Sequence, residues 1–329
     1  MSPPVRTLPR YVEDMTQSQT HGLPSWPTDA AAEFNAAMTL ADSAAAYIRA
    51  ASGVEYVDAL LILGTGWRGA LDALTGTSAA DESDADGFTG NIDAETSVEV
   101  LWRADAPSVP GFVEPAAEDN RAELLLVRIG SDDPGDVAGD VRHVLVQTGR
   151  AHLYDGYGVH AVVHPIRVAA ALNAERVVFT SDCGSLRDDI APGTVLIIRD
   201  HLNPTFATPL VGSAKFADLR GMWSQNLAEL AREHEPSLRD ACFAFVPGPQ
   251  YQTPSEVKML RNAGADCVGM STVLGALAAR ERGMEMVGLS VVSSAETNDD
   301  PNDPLAVLRE ARRATERHAG LLLHLVTVD

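Results

Sequence analysis

The sequence predicts a single-domain α/β fold with a mixed, mostly parallel central β-sheet flanked by helices. Two observations carry this. Short, almost continuously apolar runs rich in β-branched residues recur along the chain, as strands buried on both faces do. Most are separated by stretches with helical spacing of apolar residues, the alternation that builds a covered, largely parallel sheet. A chain of 329 residues with 45% hydrophobic and 22% charged residues has an ordinary globular composition.

Residues 1–28 are rich in Pro, Ser and Thr and read as an extended or disordered arm, leaving 29–329 as the folded domain. From Asp29 to about Ala51 the Ala-rich segment places Phe34, Met38, Leu40, Ala44 and Ile48 near helical spacing, which predicts an amphipathic helix. "YVDALLILGTGWRGALDAL" then runs from a strand through a glycine-rich turn into a second helix. Further strand-like runs are "HVLVQTG" (143–149), "RVVFTSDCG" (176–184), "GTVLIIRDH" (193–201), "ACFAFVPGP" (241–249), "DCVGMS" (266–271) and "MEMVGLSVVSS" (284–294). Helical patterns fall in "HAVVHPIRVAAALNA", "MWSQNLAELAREH", "SEVKMLRNAGA", "VLGALAARERG" and the closing "DPLAVLREARRATERHAGLLLHLVTV". The acidic, small-residue stretches "TGTSAADESDADGFTGNIDAET", "EPAAEDNRAE" and "GSDDPGDVAGD" read as loops.

Charge and cysteine usage narrow the function classes. The formal net charge is −21, which repels a nucleic-acid backbone and an anionic membrane alike. Lysine occurs only as Lys215 and Lys258, so an anion site would draw on Arg, backbone N–H groups or hydroxyls. Cys183, Cys242 and Cys267 are widely spaced beside apolar runs, which suits reduced, buried thiols and no metal site. The N-terminal stretch lacks the apolar segment of a signal peptide and no run is long enough to span a bilayer, so the expected location is the cytoplasm.

In sheets of this kind ligands bind beyond the carboxyl ends of the strands, and four such ends carry polar residues. Gly64-Thr65-Gly66 can turn backbone N–H groups and a hydroxyl toward an anion. With Gly69 it also spells G-x-G-x-x-G, a weak dinucleotide signature that here lacks the second strand ending in an acid, and a purely structural turn is a third reading. In "GRAHLYDGYG", Arg150 could hold an anion bidentately, with His152 and Tyr154 on its face if the strand continues; Arg150 also reads as a surface arginine. "TSDCGSL" is a strand entering a glycine turn at Asp182 and Cys183, where Cys183 reads as a small packing residue because nothing nearby in sequence would activate a thiol. In "GPQYQTPSEVKMLRNAGADCVGMST" the prolines break the strand and Thr253 and Glu256 form a capping box. The helix starts at Pro254 with Val257, Leu260 and Ala263 inward and Gly264 as its cap, and Tyr251, Gln252, Met270 and Ser271 fall at one rim.

"LILGTGW", "GRAHLYDGYG", "GTVLIIRDHLN" and "GPQYQTPSEVKMLRNAGADCVGMSTV", in that order, resemble the trimeric purine nucleoside phosphorylase family, with similarity from about Ala30 to the C-terminus. The resemblance implies a nucleoside phosphorylase-like fold, a homotrimer, and reversible phosphorolysis of purine nucleosides to base and ribose 1-phosphate. Inorganic phosphate would be the co-substrate, with no metal or organic cofactor. It further implies phosphate binding by Thr65, Arg150, His152, Asp182 and Ser271, and nucleoside binding by Tyr154, Cys183, Gly184, Phe216, Tyr251, Gln252, Val268, Met270 and Ser294. Phe216 would match the aromatic lent by a neighbouring subunit, and His152 and Ser294 would act in catalysis. This chain departs from the family's pattern at six of its positions. Phe112 stands for the phosphate-side histidine, Ser181-Asp182 for Asn-Ala, Gln252 for the purine-binding glutamate, Ser294 for the asparagine at N7, and Pro304 for the ribose-binding histidine. The default substrates are 6-oxopurine nucleosides. Adenosine or methylthioadenosine phosphorolysis, and a weakly active or non-catalytic nucleoside-binding relative, are the alternatives.

Overall fold

The computed structural model describes residues 29–75, 97–116, 122–130, 141–297 and 303–328. The N-terminal arm and most of the three acidic stretches lie outside them. Helix α1 (Ala30–Ser52) begins where Asp29 Oδ1 accepts from Ala32 N at 2.9 Å and ends at Gly53. Its buried face is Ala41, Ala44, Ala45 and Ile48, so the inward stripe is narrower than the predicted one and Leu40 is exposed. Alanines on that face let α1 lie close against α4.

The remaining elements are β1 (Ala59–Leu63), α2 (Arg68–Thr75), β2 (Ser97–Asp105), β3 (Glu123–Gly130), β4 (Arg142–Thr148), α3 (Val159–Val162), α4 (His164–Ala171) and β5 (Arg176–Ser185). There follow β6 (Val195–Leu202), α5 (Gln225–His234), β7 (Arg239–Phe245), α6 (Pro254–Asn262), β8 (Cys267–Gly269), α7 (Val273–Arg282), β9 (Glu285–Ala295), α8 (Pro304–Thr315) and α9 (Ala319–Thr327). Both long helical patterns are broken: Pro165 starts α4 as a separate helix, and a 3-10 turn over Glu316–His318 divides α8 from α9. No helix among the described residues is long and apolar enough to cross a membrane.

The strands form one nine-stranded sheet in the order β2-β3-β4-β1-β5-β8-β7-β6-β9, and β9 returns to pair with β5. Pairs β4–β1, β1–β5, β5–β9, β6–β7 and β7–β8 are parallel; β2–β3, β3–β4, β5–β8 and β6–β9 are antiparallel. The sheet is therefore mixed, as expected. Strands β2 and β3 escape the apolar-run criterion, because half-exposed β2 carries polar residues among its apolar ones and β3 follows directly on an acidic stretch. One face is covered by α1, α4 and α7 over Leu60, Leu124, Leu145 and Phe179, the other by α2, α5, α8 and α9 over Leu61, Leu125, Val146 and Val178. Helix α6 covers a smaller cluster through Val257 and Leu260. Its capping box forms as expected, with Thr253 N donating to Glu256 at 2.7 Å, but Ala263 is exposed because the helix has ended before it.

β5 is the hinge of this arrangement. It pairs with β9 along Arg176–Ser185, but with β1 only over Arg176–Phe179 and with β8 only at Gly184 and Ser185. Where β1 leaves, the Thr180 hydroxyl takes over: it donates to Ile62 O at 2.9 Å and accepts from Gly64 N at 3.0 Å. Trp67 Nε1 donates to Ser181 O at 2.8 Å from a wholly buried indole. Thr180→Val keeps the shape but strands one buried N–H and one buried carbonyl. Loss of about 2–4 kcal/mol in urea unfolding is expected, most of it from those two orphaned groups.

Candidate active site

Beyond the point where β1 and β8 leave β5 unpaired lies a cavity of about 380 Å³. Its wall includes Thr65, His152, Tyr154, Asp182, Cys183, Gly184, Tyr251, Gln252, Val268, Met270, Ser271 and Ser294. These come from strand ends and the loops that follow them, far apart in sequence. Arg150 lies behind the wall and Phe216 is fully exposed on the loop after β6, so neither lines the cavity within this chain.

Arg150 follows the turn at Gly149, whose N–H donates to Leu63 O at 3.1 Å. Only 7% of Arg150 is exposed, so it is no surface arginine, and its Nη2 donates to Ser271 Oγ at 2.7 Å. A Cβ at Gly64 would sit 2.5 Å from Thr180 O and 2.9 Å from Arg150 Nη2, so only glycine leaves room for the guanidinium. The first glycine of the turn thus has a packing reason independent of any dinucleotide.

Strand β4 stops at Thr148, so the expected strand alternation of Arg150, His152 and Tyr154 does not occur; a 3-10 turn over Leu153–Asp155 follows instead. That turn stacks the His152 and Tyr154 rings at 4.8 Å and 5°. Asp182 and Cys183 are likewise not at a glycine turn, because β5 runs on to Ser185 with an irregularity between Cys183 and Gly184 in its pairing with β9. Cys183 is buried, as a packing residue would be, yet borders the cavity. Phe112 points elsewhere: its ring meets that of His164 edge-on at 4.9 Å inside the core. Pro304 opens α8, and its side chain lies outside the described residues.

The electrostatics follow from burial. Arg150 is lowered to about 10 by desolvation, partly offset by Asp182 and Tyr154, and so remains cationic at neutral pH. His152 is pulled down to about 3 by burial and then by the Arg150 charge, which leaves a neutral imidazole. Tyr154 is pushed up to about 12, first by burial and then by Asp155 and Asp182. The Asp182 carboxyl is raised by desolvation against the pull of Arg150 and hydrogen bonds from Ser293 and Thr65; Ser293 Oγ lies 3.3 Å from Asp182 Oδ2. One side of the cavity thus gathers hydroxyls, a neutral imidazole and a carboxyl biased toward its neutral form, with the Arg150 cation directly behind them.

Around Ser294 a second polar group forms with residues that the sequence reading did not single out. Ser294 Oγ donates to Glu296 Oε1 at 2.7 Å, and Glu296, Ser293, Pro249, Val307 and Leu308 also border the cavity. The strand-end rule applied to "SVVSSAE" would have found Glu296 and Ser293, since both sit at the carboxyl end of β9. Val307 and Leu308 arrive only through the packing of α8.

A family model described as the phosphorylase superfamily matches residues 135–327, more than half of the chain. A Cellulomonas purine nucleoside phosphorylase is 38% identical over 286 residues, spanning 86% of this chain and 91% of that protein. The chain belongs to the purine nucleoside phosphorylase family of the phosphorylase superfamily. A Mycobacterium tuberculosis purine nucleoside phosphorylase is 37% identical over 289 residues, covering 87% of this chain and 95% of the relative. Among solved structures, isoform 2 of the Schistosoma mansoni purine nucleoside phosphorylase, in complex with cytosine and ribose-1-phosphate, shares the fold with a TM-score of 0.69 at 24% identity. That match covers 88% of this chain and 96% of the other. Residues 135–327 contain every residue to which the family resemblance gives a phosphate or nucleoside contact, except Thr65.

The His152 environment has a measurable consequence. Its pKa in the folded protein, about 3, lies below the unfolded value of about 6.5, so the unfolded state takes up the proton first as pH falls. Folding stability is lost through this group between about pH 6.5 and 3. His152→Phe should lose less stability than the native protein across that window, and imidazole NMR signals should show His152 neutral throughout pH 5–8.

Proposed function

We propose that this protein catalyses reversible phosphorolysis of purine nucleosides, releasing the base and ribose 1-phosphate. The observation that carries this is the buried Arg150, hydrogen-bonded to Ser271 at 2.7 Å, in a polar cluster with Thr65 beside a cavity also lined by Tyr251 and Gln252. Relatives of 37–38% identity over most of the chain bear the name of that activity. In this reading Arg150, Thr65 and Ser271 hold phosphate, with neutral His152 as a hydrogen-bonding partner. Tyr154, Met270 and Tyr251 line the ribose, Val268, Gly184 and Gln252 face the base, and no cofactor takes part.

A phosphate oxygen attacks the anomeric carbon, the bond to the base breaks, and its electron pair enters the purine. Positive charge gathers on the ribose between two anions. Fixed donors on phosphate and close positioning of the reactants supply the rate enhancement, with no covalent nucleophile. Asp182 fits this scheme in its neutral form, which can donate a hydrogen bond to phosphate; ionised, it repels the anion. The fully exposed Phe216 and the 87% exposed Phe206 support an assembly that covers this loop, in line with a homotrimer in which Phe216 reaches a neighbour's cavity. A cytoplasmic place in purine salvage accords with the reaction.

The direct test incubates the protein with phosphate and inosine, guanosine, adenosine or methylthioadenosine and measures free base and ribose 1-phosphate. Binding without base release from any nucleoside overturns the proposal. Arg150→Ala should cut phosphate-dependent turnover by roughly 10²–10³-fold, as loss of a preorganised charged donor does; an unchanged phosphate affinity would remove Arg150 from the phosphate site. For Asp182→Asn, the affinity ratio for phosphate, variant over native, should rise with pH as the native carboxyl ionises. A ratio flat with pH would place the carboxyl away from the anion.

A further inference from the structure

We infer that Glu296 determines base specificity, making the cavity prefer nucleosides whose purine carries an exocyclic amino group over inosine. The inference rests on the purine-nucleoside reading above and deepens it.

The seat of Glu296 is built by the end of the β5–β9 ladder. Ser294 pairs with Gly184 and Ala295 with Ser185, and Glu296 N donates to Ser185 O at 2.9 Å. The carboxylate then lies over Gly184, where an added Cβ would be 2.4 Å from Oε1, so the glycine is what admits it. From there Oε1 accepts the Ser294 hydroxyl proton at 2.7 Å, and both residues face the cavity.

This pairing sets the hydrogen-bonding character of the wall. A serine hydroxyl has one proton and two acceptor lone pairs, and an ionised carboxylate only accepts. With its proton directed to Glu296, Ser294 offers a ligand acceptors alone, so it does not supply the donor at N7 that the family resemblance implied, and the pair forms an acceptor-only patch. Gln252, also on the wall, can both donate and accept and does not cancel that bias. An acceptor-only patch matches bases with amino N–H donors. Guanine presents a ring N–H next to an amine, and adenine presents an amine with two N–H bonds. Hypoxanthine has the same ring N–H and carbonyl oxygen as guanine but no amine, so it can set one donor on the patch where guanine sets two. Sites built to hydrogen-bond a substrate group discriminate strongly against analogues lacking it.

The experiment compares kcat/KM for guanosine, adenosine and inosine with phosphate, in the native protein and in Glu296→Gln, whose amide can also donate. The native protein should use at least one of the two aminopurine nucleosides roughly tenfold or more better than inosine, and Glu296→Gln should reduce that ratio by about tenfold. Calorimetric binding of the three nucleosides without phosphate is measured alongside. If no nucleoside turns over but the aminopurine compounds bind more tightly in a Glu296-dependent way, phosphorolysis fails and the specificity assignment stands. Inosine used and bound as well as both others, or a ratio unchanged in a folded Glu296→Gln, overturns the assignment. If the variant does not fold, the native preference decides.

Discussion

The structure depends on β5 having to satisfy different partners along its length. Its first residues pair with β1 on one side and β9 on the other, and its last two pair with β8. The ladder on the β1 side ends at Phe179, and buried backbone groups left there need partners. Thr180 provides them for Ile62 and Gly64, and Trp67 for Ser181. Strands β1 and β8 can therefore diverge without exposing unpaired amides, and the divergence is the cavity. Asp182 and Cys183 border it because they sit in the stretch of β5 between the two partners.

The same divergence sets the chemistry. Turning the chain after β4 sends Arg150 under the Gly64 turn rather than to the surface, and burial then acts on every titratable group around it. The guanidinium keeps its charge despite desolvation, the neighbouring imidazole loses its own, and the Asp182 carboxyl is biased to neutrality. Each shift has burial as its largest cause, with Arg150 a secondary influence on the other two. An anion entering this space meets a preorganised cation and hydroxyls in a low-dielectric setting, where electrostatic interactions are stronger than in water.

Much of this was legible in the sequence because it depends on local chemistry. Thr253, Pro254 and Glu256 specify the start of α6 through a capping box that needs no tertiary help. The continuous apolar runs identify the buried strands, and the strand-end rule selects Thr65, Arg150, Asp182, Tyr251 and Ser271. The failures are equally physical. Edge strand β2 mixes polar with apolar residues and its neighbour β3 follows directly on an acidic stretch, so their pairing rather than their composition defines them. The arrangement of His152 and Tyr154 followed from a 3-10 turn, not from strand alternation.

By itself the sequence determined the fold class, the family resemblance and the set of strand ends that could carry a site, since periodicity, capping and turn residues act over a few positions. Only the tertiary structure decided that Arg150 is buried against Ser271, that β5 is shared between β1 and β8, and that Glu296 lies on Gly184 with the Ser294 proton. The contacts Arg150–Ser271, Thr180–Ile62 and Gly184–Glu296 each join residues more than 100 positions apart in the chain. Spacing along the sequence does not encode such contacts; the closing of the β5–β9 ladder does.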